Sequence, residues 1–155
     1  MAQKFRIEGL KALDKALGQL PRATGKNVLR RVARSALEPI IADAKTKVSV
    51  LSGELRDSLA VSTKLSHRQK RLHKKLVRGD KSSVEMFAGA GAHLRVPQGV
   101  MEEFGTVKRG PHPFLRPAWD GGKMRVLSDI KKDLWAEIKR AADRVARKKA
   151  RALKG

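Results

Sequence analysis

Val28, Val32, Ala36, Ile40, Ala44 and Val48 recur at four-residue spacing, with Leu29, Ala33, Leu37 and Ile41 beside them. Such a broad apolar stripe, with Lys26, Arg30, Arg31, Arg34 and Lys45 on the rest of the cylinder, predicts an amphipathic helix over 22–48 that lies on a core. A second stripe, Leu127, Ile130, Leu134, Ile138, Ala141 and Val145, predicts another over 119–150. Faces this long are more readily core than partner surface, although in a ring-forming subunit part of the first could also pack on a neighbour. Pro39 falls inside the first pattern; it removes a donor and crowds the carbonyl four residues back, so a kink is expected near Ser35 to Pro39.

The remaining segments are shorter. Lys4 to Ile7 reads as a small strand, and residues 9–18 as a short helix ended by Gly18 and Pro21. Ser49 to Gly53 reads as a turn. Leu59, Val61, Thr63 and Leu65 alternate within 55–65 and predict a strand; VEMFAGAGA, residues 84–92, predicts a second, bent at Gly89 and Gly91. Between them, residues 64–83 are almost wholly polar and basic and read as an extended loop or hairpin tip. Val100 to Phe104 reads as a helical turn or short strand. Gly105 to Pro117 holds three prolines and is expected to be irregular, with Asp120 capping the helix that follows. The expected architecture is one α+β domain over 1–155: a small, mostly antiparallel sheet packed by two long helices, with an extended basic loop or hairpin.

Lys and Arg outnumber Asp and Glu 36 to 15, for a formal net charge of +21. A surplus of this size repels itself and predicts a negative neighbour: nucleic acid, an acidic protein surface or an anionic membrane, among which the sign of the charge does not choose. Arg68, Lys70, Arg71, Lys74, Lys75 and Arg78 in the basic segment, with Lys148 and Lys149 in the last helix, are the candidate contacts. A solvated loop is the plainer reading of the first group, and complementation of the helix dipole accounts for part of the second. Aromatic residues are only 4% of the chain, few for a single-strand binder built on stacking platforms. There is no cysteine, which excludes disulfides and thiolate metal sites. The opening MAQKFRIEGL lacks the apolar core of a signal peptide and no apolar run approaches membrane-spanning length, so a protein assembled in the cytoplasm without membrane contact is expected.

Signals for catalysis are weak. His67, His73, His93 and His112 lack zinc-pair spacing. Gly89-Ala90-Gly91-Ala92 is half of a dinucleotide fingerprint, but Leu94 stands at the third glycine. Gly79-Asp80-Lys81-Ser82 lacks the Gly-Lys pair of a phosphate loop, and no serine sits in a nucleophile elbow. No enzymatic activity, metal or cofactor is expected.

The segment Glu103 to Asp120, EFGTVKRGPHPFLRPAWD, carries the most information. Pro111, Pro113 and Pro117 fix backbone torsions and make a stiff arm. Phe114 and Leu115 on that arm either fill the chain's own core or anchor a neighbour, and Arg116 suits a bidentate pair with Glu102 or Glu103. Glu103-Phe104-Gly105-Thr106, then Pro113 to Ala118, then Asp120, resemble the tail-component family of long-tailed phages typified by gene product ten of a lambda-like phage. Ser52-Gly53-Glu54-Leu55-Arg56-Asp57-Ser58 and the opening Ile7 to Leu13 match the family in the same order. The chain departs from it in a longer basic insertion at 66–81 and in Val50 and Leu51, where the family has proline and aspartate.

The resemblance implies a neck, tail-completion or head–tail joining protein of the virion. It implies a hexameric ring of copies around a DNA channel, in contact with head-closure or connector proteins and with tail terminator or tail-tube proteins, and with packaged DNA as a further neighbour. The interface residues on this reading are Glu103, Phe104, Pro113, Phe114, Leu115, Arg116, Pro117 and Trp119. The alternatives are a tail terminator, within the same class, and a free basic nucleic-acid-binding protein.

Overall fold

The two apolar stripes form helices, and they pack chiefly on each other. The computed structural model describes residues 10–49, 53–77, 84–91 and 98–152. In chain order the elements are α1 (Leu10–Gly18), α2 (Arg22–Lys47), α3 (Glu54–Ser58), β1 (Leu59–Ser62), α4 (His67–Leu76), β2 (Phe87–Ala90), α5 (Gln98–Phe104) and α6 (Leu115–Ala152). The strand expected over residues 4–7 and the turn residues 50–52 lie outside the described residues.

Helices α2 and α6 run antiparallel, since Arg31 meets Glu137 while Ile40 meets Gly122. Their stripes form two buried clusters. Toward the start of α2, Val28 and Val32 pack with Leu134, Ile138 and Ala141 and with Leu13 and Leu20 from around α1. Toward its end, Ala36, Ile40, Ile41 and Ala44 pack with Phe114, Ala118 and Val126, and with Leu55 of α3 and Leu59 of β1. Burying such side chains is worth about 1.5–3 kcal/mol each, far more than helix propensity contributes per residue, so packing fixes these helices. Helix α2 is uninterrupted through Pro39, whose ring is exposed. Ser35 is exposed too, so water can reach the carbonyl that loses its donor.

Gly122 of α6 lies directly against the Ile40 side chain of α2. A Cβ there would overlap the Cδ1 atom of Ile40, which is 3% exposed. Its neighbour Gly121 is exposed with nothing nearby. The expected pair of results is opposite in sign. Gly122→Val destabilises by about 1–3 kcal/mol through overpacking. Gly121→Ala stabilises by roughly 0.5–1 kcal/mol through helix propensity alone. Urea midpoints of the two variants check this.

The sheet is a single antiparallel pair, Leu59↔Ala90 through Ser62↔Phe87. Two strands alone are marginal in water. Leu59 and Val61, with Ala88 and Ala90 across from them, face the cluster built on α2, and that backing holds the hairpin. Both strands are shorter than their patterns suggested. Gly53 takes a left-handed conformation (φ 75°) and residues 54–58 wind into α3, with the buried Ser58 hydroxyl donating to the Leu55 carbonyl at 2.7 Å. Only Leu59 and Val61 of the expected 55–65 strand keep the alternation.

The basic segment differs most from expectation. Instead of a loop, 67–76 is helix α4. A reciprocal capping box starts it: the Gln69 amide donates to Ser66 Oγ at 3.3 Å, and the Ser66 amide donates to Gln69 Oε1 at 2.9 Å. Its residues are good helix formers, and charge lining one side of a helix costs little when water solvates it.

Candidate interaction site

Helix α5 carries two adjacent carboxylates with different tasks. Glu103 is half-buried and closes the start of α6. Its Oε2 accepts the amides of Phe114 and Leu115 at 2.9 Å each, and its Oε1 accepts the amide of Arg116 at 2.9 Å. A helix leaves its first four N–H groups without internal partners. Here three of those four go to one carboxylate, and the fourth position is Pro117, which has no N–H to satisfy. Burial acts to raise the Glu103 carboxyl's pKa, but the amides of Leu115, Phe114 and Arg116 together with the Arg116 guanidinium outweigh it and hold the group below its ordinary value.

This changes three expectations. Helix α6 begins at Leu115 rather than Trp119, because proline is tolerated in a first turn. Asp120 is not the cap; it lies inside the helix, exposed, with Lys123 at 3.3 Å. Arg116 makes no bidentate pair with Glu102 or Glu103. Its guanidinium lies over the Phe104 ring, 5.2 Å from the centroid.

Glu102 is buried at 9% exposure. Its carbonyl accepts the His112 amide at 2.8 Å, and Arg109 reaches its Oε2 at 3.4 Å, while Oε1 has no partner among the described residues. Thr106 and Arg109 form a tight bridge between the two helices. Gly105 enters that turn at φ 78°, and a Cβ there would stand 2.8 Å from the Pro111 nitrogen and 2.9 Å from the Arg109 oxygen. The segment 105–113 is thus a stiff, nearly closed loop that brings Glu103 back onto the start of α6.

The predicted interface residues divide by direction. Phe114 is 2% exposed and belongs to the chain's own core, and Leu115 is half-buried against it. Phe104 (61% exposed), Trp119 (44%), Arg116, Pro113 and Pro117 face outward. Sequence reading missed Val100, Met124 and Leu127, which are exposed and line one groove together with Phe104 and Trp119, and it missed the exposed Met101. Met124 and Leu127 lie at the edge of the α6 stripe, where the pattern alone does not separate core from surface.

Arg68, Lys70, Arg71, Lys74 and Lys75 are all exposed on α4, which buries no residue. The helix is tied down through His73, whose ring meets Phe87 edge-on at 5.0 Å and lies 3.4 Å from the Glu85 carboxylate. Lys148 is exposed near the end of α6; Arg78 and the side chain of Lys149 lie outside the described residues. The basic end of α6 is separated from a tighter ionic cluster upstream. There Glu137, 9% exposed, takes Arg31 at 2.5 Å and Arg140 at 2.8 Å, with Arg144 at 4.0 Å. Burial again acts to raise this carboxyl's pKa, and Arg140 and Arg31 outweigh it and hold it low.

The fold and these surfaces define a class of protein: an α+β domain on a two-helix frame, with a carboxylate-locked arm and apolar and basic surfaces presented side by side. A comparison with protein families matches residues 11–105 to the family described as "Bacteriophage HK97-gp10, putative tail-component", and the chain belongs to that family of phage tail components. The match runs from α1 through the end of α5, taking in Glu103 and the whole of α4, and stops short of the proline-framed stretch after Gly105. No curated protein and no solved structure matches the chain significantly. No helix among the described residues is long and apolar enough to cross a membrane.

Proposed function

We propose that this tail component works at the head–tail junction as a neck or tail-completion protein. Copies assemble into a hexameric ring around the DNA channel and join tail to head by contact with connector or head-closure proteins on one side and tail terminator or tail-tube proteins on the other. The observation that carries this reading is the locked arm. Glu103 spends its charge on three backbone amides of its own chain, so Phe104, Arg116 and Trp119 are held outward in a fixed arrangement before any partner arrives. Preorganised aromatic and arginine groups are the usual anchors of protein interfaces. No chemistry on a substrate is part of this role. The exposed cations of α4 supply the complementary charge for an acidic neighbour or for DNA in the channel.

Negative-stain imaging of particles made without the protein is the direct test. Full heads and finished tails that remain separate are the expected result. Normal heads joined to normal tails overturn the proposal.

A further inference from the structure

A groove of about 1840 Å³ opens between α2, α6, the sheet and α4. Its floor is aliphatic, with Leu37 from α2 and Met124, Leu127 and Ile130 from α6. Its rim is basic: Lys64 and Arg68 at the α4 side, Arg116 and Lys123 at the α6 side. Among the described residues the single carboxylate in its lining is Glu103, whose two oxygens are already taken by the α6 amides. Lys123 has Asp120 beside it, while Lys64 and Arg68 have no carboxylate within salt-bridge distance among the described residues.

We propose that this groove docks an acidic amphipathic segment of another protein, apolar side chains down and carboxylates against the rim. The size excludes a small metabolite as the natural occupant, since such pockets hold roughly 300–1,000 Å³. A helix about 10–12 Å across would fill the space with roughly three to four turns. Nucleic acid fits the charge but not the floor: hydrated phosphates gain nothing from Leu, Ile and Met, and the exposed cations on the far side of α4 serve a polyanion better. A second copy fits the floor but not the charge: α1, α2, α4 and α6 each carry more bases than acids, α3 is only five residues long, and of the two carboxylates of α5 Glu102 is buried and Glu103 is held by the α6 amides. Only an acidic partner satisfies both. The inference deepens the neck reading by giving the ring's partner a chemistry, and it rests on that reading for the partner being a particle protein.

The test uses the full chain and a fluorescein-labelled helical peptide of about 15 residues, with Leu at i, i+3, i+4 and i+7 and Glu elsewhere. Anisotropy should show binding, and a version with Lys in place of Glu should not bind. The floor variant Met124→Ser/Leu127→Ser should weaken binding about tenfold, and the rim variant Lys64→Gln/Arg68→Gln about fivefold. The same charge removed elsewhere, in Lys148→Gln/Arg151→Gln, should change it less than about twofold. Met124 and Leu127 are 58% and 36% exposed, so the floor variant keeps its fold, which circular dichroism checks; the rim variant decides if it does not.

Absence of binding by the acidic peptide overturns the inference. So does equal weakening by both charge variants with a silent floor variant, which is bulk attraction. Displacement of the peptide by a short DNA duplex assigns the groove to a polyanion, and self-association that blocks the peptide assigns it to a second copy; either result also overturns it. Loss of binding here leaves the ring proposal standing, and joined particles without the protein remove the ring proposal without touching this result.

Discussion

Phe114→Ala is expected to destabilise the protein by about 3–5 kcal/mol, the range for emptying an aromatic site in a packed core. That is a fifth or more of the stability of an ordinary domain, so the variant should unfold at a much lower urea concentration or fail to accumulate. Phe114 is 2% exposed and sits where α6 starts, among Leu59, Ala118 and Val126. Its own amide is bonded to Glu103, so its backbone does not shift easily to close the gap. Ala118, one turn on, has no side chain long enough to fill it. Phe104→Ala and Trp119→Ala provide the contrast. Both rings are exposed, and the Phe104 change removes a stacked guanidinium worth about 0.5–1 kcal/mol at such a site. Their effect should fall on assembly and not on the urea midpoint. If Phe114→Ala leaves stability within about 1 kcal/mol of the parent, the residue is a surface anchor and the core assignment is wrong.

What the sequence discloses follows from how far apart the cooperating residues lie. The stripes of α2 and α6 are periodic over many turns, and periodicity alone predicted both helices; that they pack chiefly on each other shows only in the structure. Residues 100–104, read as a helical turn or a short strand, lie in helix α5, which begins two residues earlier at Gln98. The start of α6 was misplaced by four residues because Pro117 reads as a breaker in a local pattern, although a first turn tolerates it. The true cap, Glu103, lies 11 to 13 residues upstream of the amides it accepts. Such a contact depends on the turn at Gly105, and no spacing rule joins the two ends. Helix α4 is a different case. Ser66 and Gln69 stand three apart at its entrance, which is a capping-box signature, but the density of charge behind them drew attention to solvation instead. The groove was not legible at all. Leu37 and Leu127 belong to stripes that look like core throughout, and only the packing shows which part of each stripe is left uncovered.

Glu103→Ala should cost about 2–3 kcal/mol, more than an ordinary N-cap because three amides lose one charged acceptor, and less than three full bonds because water reaches some of them. Glu103→Gln keeps one acceptor oxygen and loses the charge, so roughly 1–2 kcal/mol is expected. Asp120→Ala, at the position a local reading makes the cap, should change stability by under about 0.5 kcal/mol. The pH dependence separates charge from geometry. In the folded chain the Glu103 carboxyl titrates below its ordinary value of 4.5, so its contribution is complete above that value. It is lost as the pH falls from there through the lowered folded value, when the carboxylate takes a proton and gives up an acceptor. Other carboxylates, Glu137 among them, also lose stabilising pairs in acid, so the stability of the parent alone does not isolate the effect. The difference between the parent and Glu103→Gln does, because Gln does not titrate. That difference should stay constant from neutral pH down to about 5 and shrink below 4.5. A constant difference throughout would mean that Glu103 acts by shape and not by charge. A costly Asp120→Ala would return the cap to the place where local sequence put it. If both outcomes go as expected, one carboxylate on α5 sets where α6 begins, and with it the direction in which Phe104, Arg116 and Trp119 are offered to a neighbouring molecule.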